Sequence, residues 1–137
     1  MRILVQAEFK HLKADEKEIA IRFRNNAFLK GEYIYDVELK VPEIKAPAHW
    51  TKKDLEHWET LTAKRIDLVV KEKDRVWVIE ITPKLSKAAI GGVVTYRELY
   101  MAQYKPAVDV YLGVVCEVDD PGYKTTCQRF GIKVWVV

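Results

Sequence analysis

Two acids stand out because of the residues around them. Asp67 sits in Arg-Ile-Asp-Leu-Val-Val at 65–70, and Glu80 in Val-Trp-Val-Ile-Glu-Ile-Thr at 76–82. Each is an isolated carboxylate in an otherwise apolar, β-branched run. Burying such a group is costly unless it is paired, hydrogen-bonded or bound to metal. If the two runs are neighbouring hairpin strands, the carboxylates can meet across the sheet. Like charges that close either raise a pKa or take up a cation. Mg²⁺ (or Mn²⁺) suits them, being hard and bound by oxygen with several waters retained. Such a cation can polarise an ester and acidify a bound water. The plainer alternative is a pair of structural ion pairs, Asp67 with Arg65 or Arg97 and Glu80 with Lys84 or Lys87.

The elements that must position these acids follow from pattern. Residues 65–70 and 76–82 read as strands around a charged turn at 71–75. A helix is expected from 85 to about 104, closed by Pro106, then a strand over 108–118. A turn at 119–122 opens a helix to 130, with Gly131 as its C-cap and a last strand at 132–137. A helix between the last two strands implies a parallel crossover and a sheet covered on both faces. Upstream, 2–9, 18–24 and 33–41 read as strands of a small antiparallel meander. Pro42 and Pro47 break that pattern. Thr51 is the expected N-cap of a helix running to about 62, with Asp54 in the capping-box position and Leu55, Trp58 and Leu61 or Thr62 on one face. Trp50 and Trp58 are expected to anchor this helix to the sheet. The fold class is therefore α/β (α+β), a mixed β-sheet flanked by helices. It is read as one domain over 1–137, with a meander at 1–45 and a core at 50–137.

Asp67, the spacing to Glu80-Ile81-Thr82, and Gly91-Gly92-Val93-Val94-Thr95-Tyr96 in the following helix resemble the PD-(D/E)XK nuclease superfamily, in particular its RecB-like branch and small phage-encoded members. The resemblance covers 65–137 and implies a restriction-endonuclease-like core. It also implies Asp67 and Glu80 as metal ligands, with the Ile81 carbonyl as a third. Thr82 occupies the family's lysine position and Gly92 its helix glutamine position. Lys84 is then the candidate catalytic cation, and Thr82, Lys87, Tyr96 and Glu59 (or Glu56) are accessory candidates. The loss of one preorganised donor costs ~3 kcal/mol of transition-state stabilisation in comparable sites. The resemblance supports two expectations. One is a Mg²⁺- or Mn²⁺-dependent nuclease acting on nucleic acid, DNA ahead of RNA. The other is an inactive nuclease-fold protein serving as a phage structural or adaptor component among other phage proteins. A binding module with no nuclease link is a third reading.

Composition sets outer bounds. The chain has 137 residues, 49% of them apolar, enough to build a core. The net charge of +3 is spread evenly, with 12 basic and 11 acidic residues up to Lys64 and 11 and 9 beyond, so no basic arm stands out. Cys116 and Cys127 form no CxxC motif and read as reduced, semi-buried thiols. His11, His49 and His57 lack zinc-ligand spacing and read as surface residues. Tyr96 and Tyr100 read as core or rim. The opening MRILVQAEFK is too short an apolar run for a signal peptide, and no segment reaches the ~20 apolar residues of a membrane span. An intracellular location in a host cytoplasm, or a virion, is expected. The open edge of the meander would make a homo-oligomer or docking contact.

Overall fold

The β-branched runs at 64–71 and 75–84 pair as an antiparallel hairpin, and the rest of the fold is laid on it. The computed structural model describes residues 11–40, 45–62 and 64–137, with the backbone alone for 59–62. Its elements are α1 (Ala14–Asn26), β1 (Glu32–Leu39), α2 (Lys52–Thr62), β2 (Lys64–Lys71), β3 (Arg75–Lys84), α3 (Lys87–Tyr104), β4 (Asp109–Val118), a 3₁₀ turn (Pro121–Tyr123), α4 (Lys124–Arg129) and β5 (Ile132–Val136). The five strands form one mixed sheet in the order β1-β2-β3-β4-β5. β1–β2 and β2–β3 are antiparallel, whereas β3–β4 and β4–β5 are parallel. The parallel pairs require crossovers, and α3 and α4 supply them.

Two cores follow from a sheet covered on both faces. On one, α1 brings Ile19, Ala20 and Phe23 against Leu68, Val70, Trp77, Ile79, Val115 and Trp135. On the other, α3 and α4 bring Ala89, Ile90, Val93 and Cys127 against Ile66, Val69, Val78, Val114 and Cys116. Both cysteines are free and buried, and burial pushes the Cys116 thiol up to about 11.

The N-terminal meander is corrected by the structure. Residues 18–24 belong to α1, not to a strand. The alternation of Ile19, Ile21 and Phe23 hides a helical spacing: Ile19, Ala20 and Phe23 are buried, while Ile21 is only partly so. Asp15 and Glu16 lie in the first turn and Arg24 in the last, as the helix dipole favours. Glu18 and Arg22 form an i,i+4 ion pair at 3.1 Å, and Arg22 also reaches Glu117 at the end of β4 at 2.7 Å. The strand expected over 33–41 is β1 as far as Leu39, and residues 2–9 lie outside the described residues.

The remaining expectations for the second half match the structure to within a few residues. Ser86 caps α3, its Oγ accepting from the Ala89 N–H at 3.1 Å. Gly131 follows α4 with φ +67°, a conformation glycine adopts without steric cost. The capping box on α2 is also present: the Asp54 N–H donates to Thr51 Oγ1 at 3.1 Å and the Thr51 N–H to Asp54 Oδ2 at 2.8 Å. Trp50 and Trp58 pack on each other, ring centroids 6.5 Å apart. Among the described residues no helix is long and apolar enough to cross a membrane.

Candidate functional site

Asp67 and Glu80 come together through a local break in the β2–β3 ladder. Regular pairing runs from Lys71↔Val76 to Leu68↔Ile79 and would next place Asp67 opposite Glu80. There the Ile81 N–H donates to the side chain of Asp67, reaching Oδ2 at 2.9 Å. A carboxylate thus satisfies a backbone donor. The Asp67 and Glu80 carboxyls also hydrogen-bond each other.

The same row of the sheet is distorted one strand further out. The β1–β2 register on either side puts Asp36 across from Asp67, and Asp36 has φ +54°. A non-glycine residue in that region is strained by about 1–3 kcal/mol. Its effect is a change of face: Tyr33 and Tyr35 pack with the α1 core, whereas Val37 and Leu39 pack with the α3 core. β2 switches likewise, with Ile66 in the α3 core and Leu68 in the α1 core. Asp36 Oδ2 accepts from the His11 N–H at 3.4 Å, and Oδ1 is buried with no hydrogen-bond partner.

The charges that act on the site among the described residues are acidic. Burial, then the hydrogen bond and charge of Asp67, then the charge of Glu16 push Glu80 up to about 10. Asp67 is raised as well, chiefly by burial, with Glu16 and Asp36 adding to it and the bonds from Glu80 and the Ile81 N–H opposing it. At neutral pH Glu80 therefore keeps a proton that it shares with Asp67. Among the described residues, no basic group contributes to the balance of either carboxyl. The ion-pair alternative is not what the fold forms: Arg97 pairs with Glu98 at 3.7 Å, and Asp67 and Glu80 have no cationic partner among the described residues.

The other sequence candidates divide by position. Ile81 is buried and tied to Asp67 through its N–H. Thr82 turns its hydroxyl to the Lys84 carbonyl at 3.1 Å. Lys84 and Lys87 are exposed, at the end of β3 and the start of α3. Tyr96 is half-buried against the α3 core, and its phenol is raised by burial and by the charges of Glu80 and Asp67, which places it in the field of the pair. Glu56 is exposed on α2, and the side chain of Glu59 lies outside the described residues.

Gly92 and Gly91 have different reasons to be glycine. A Cβ at Gly92 would meet Glu80 Oε2 at 3.2 Å, so this glycine lets α3 lie over the carboxyl pair. Gly91 is exposed, and a Cβ there would touch nothing within 4 Å.

Sequence reasoning missed Glu16 and Asp36. Glu16 is missed because the strand reading of 18–24 hides α1. The usable signal was Asp15-Glu16 ahead of the Ile19/Ala20/Phe23 spacing, since acids favour a first helical turn. Asp36 had no clear signal, because its role depends on a left-handed residue in mid-strand.

The donor set is all oxygen and suits a hard cation. Among the described residues no group of three or more His, Cys, Asp or Glu side chains is arranged to hold a metal. Two adjacent carboxylates are nevertheless what Mg²⁺ commonly takes, with water or phosphate oxygen completing its shell. No known protein-family model, curated protein or solved structure matches the chain.

Proposed function

We propose that the Asp67–Glu80 pair is a divalent-cation site for phosphodiester hydrolysis in a PD-(D/E)XK-like protein. The observation that carries this reading is the meeting of two carboxyls at a broken ladder, beneath a glycine at which α3 comes close to Glu80. Charge that cannot be neutralised internally has to be met by a proton or by a cation. Asp67 and Glu80 would hold Mg²⁺ or Mn²⁺, which when bound supplies charge neutralisation and an acidified water. Asp67, fixed by the Ile81 N–H, is the preset ligand. Glu80 must release its proton to become the second. Lys84 is the nearest candidate in sequence for the lysine that Thr82 replaces, and Tyr96 of α3 lies in the field of the pair.

A second reading is favoured by one observation: among the described residues no basic group enters the site's field. In that reading the pair is a proton-sharing relic, and the fold serves as a structural or adaptor component. Cleavage assays on single- and double-stranded DNA with Mg²⁺ and then Mn²⁺, beside Glu80→Ala, separate the two. The hydrolase reading expects metal-dependent cutting that the substitution abolishes. Absence of both cutting and metal binding leaves the scaffold reading.

A further inference from the structure

One carboxyl oxygen beside the pair has nothing to bind. Asp36 Oδ1 is sealed from solvent without a hydrogen-bond partner, and Asp36 forms no ion pair among the described residues. Its other oxygen has the long 3.4 Å contact from the His11 N–H. A buried acceptor left unmet costs stability, and in a native fold such an atom marks a place for a water, an ion or a catalytic duty. The backbone adds a second cost at the same residue, because φ +54° is a conformation that glycine takes freely and a residue with a Cβ does not. Glycine at 36 would remove both costs, so the carboxyl is kept against the interest of the fold.

Its neighbours say what the oxygen is for. Continuing the β1–β2 and β2–β3 registers sets Asp36, Asp67 and Glu80 side by side on three adjacent strands. Opposed Cα atoms of antiparallel strands lie about 4.5–5.5 Å apart, and the charge of Asp36 acts on Asp67. The three carboxyls do not close on a common point, since among the described residues no three acids are set to hold a metal. Direct ligation by Asp36 is therefore not the role. A hard cation such as Mg²⁺ keeps several waters when two carboxylates hold it. Each of those waters has O–H donors to place, and a carboxylate oxygen is an acceptor.

We infer that Asp36 is a positioning residue of the cation site, its Oδ1 accepting a hydrogen bond from a water on the cation that Asp67 and Glu80 hold. The inference rests on the cation reading above and adds a residue to it. Acceptors in this outer position orient what the ion carries, and losing one typically weakens metal binding by about 10- to 100-fold.

The test compares Asp36→Asn and Asp36→Gly with the parent, by calorimetric titration with Mn²⁺ and by thermal unfolding in EDTA. Asparagine loses the charge and keeps an acceptor oxygen, whereas glycine loses both. The Mn²⁺ Kd should rise about 10- to 100-fold in Asp36→Gly and less in Asp36→Asn. In EDTA, Asp36→Gly should melt no lower than the parent, because the unmet oxygen and the left-handed strain are gone. A merely structural Asp36 would lower affinity and melting temperature together, and that result overturns the inference. Asp74→Asn, in the β2–β3 turn, removes the same charge far from the pair and should change neither reading. Equal losses in Asp36→Asn and Asp36→Gly that fade in high salt leave a charge effect only and overturn the hydrogen bond. Affinity unchanged in both variants overturns this inference alone. No Mn²⁺ binding by the parent overturns the cation reading and this inference with it. Mn²⁺ binding that falls as expected, with no cleavage of DNA by the parent, supports the inference and overturns hydrolysis alone.

Discussion

Replacing Glu80 with glutamine should stabilise the metal-free protein at neutral pH, and by more as pH rises. The folded protein holds the Glu80 proton up to about pH 10, against an ordinary value of 4.5. Burial and the neighbouring Asp67 charge cause the shift. Because the folded pKa is raised, the stability linked to this proton is fully present below about pH 4.5 and is lost as pH climbs towards 10. Each pH unit in that window removes ~1.4 kcal/mol, so by pH 7 the loss reaches about 3 kcal/mol. Glutamine cannot ionise, yet it still offers an N–H to Asp67. Urea unfolding in EDTA at pH 5.5, 7 and 8.5, followed by tryptophan fluorescence, reads the effect directly. Glu80→Gln should exceed the parent at pH 7 by up to about 3 kcal/mol, with a gap that widens by ~1.4 kcal/mol per unit towards pH 8.5. A constant gap, or a variant less stable at every pH, would refute the shared-proton account.

Other substitutions test the frame around the pair. Gly91→Ala should raise stability by ~1 kcal/mol, because the position is exposed mid-helix with open space, and the melting temperature should rise by a few degrees. Gly92→Ala should gain less and weaken Mn²⁺ binding, since its methyl group meets Glu80 Oε2; equal gains in both variants would contradict the contact. Phe23→Ala should cost about 3–5 kcal/mol in denaturant unfolding if α1 packs as described. Thr51→Ala should cost ~1 kcal/mol locally, seen as faster amide exchange in α2 with little change in β2 or β3.

The hairpin, the two crossovers and both helix caps were legible because period, capping residues and Gly131 all point the same way. The pairing of Asp67 with Glu80 was legible too, since isolated acids in adjacent apolar strands leave few alternatives. α1 was not, because Ile19, Ile21 and Phe23 satisfy a period of two as well as a helix, and only tertiary packing of Ala20 decides between them. The broken ladder and the left-handed Asp36 were invisible for a different reason. They come from three strands meeting in one row, and no local pattern encodes that. The shared proton likewise depends on Lys84 and Lys87 not entering the balance of either carboxyl, although their nearness in sequence suggests that they would.

The central claim is that Asp67 and Glu80 form a cation site held closed by a proton. Calorimetric titration of the protein with Mn²⁺ at pH 7, in two buffers of different ionisation enthalpy, measures binding and proton release together. The account predicts one Mn²⁺ per chain with close to one proton released, and much weaker binding with no release in Glu80→Gln. No Mn²⁺ binding, or binding that survives in both Glu80→Gln and Asp67→Asn, would contradict it.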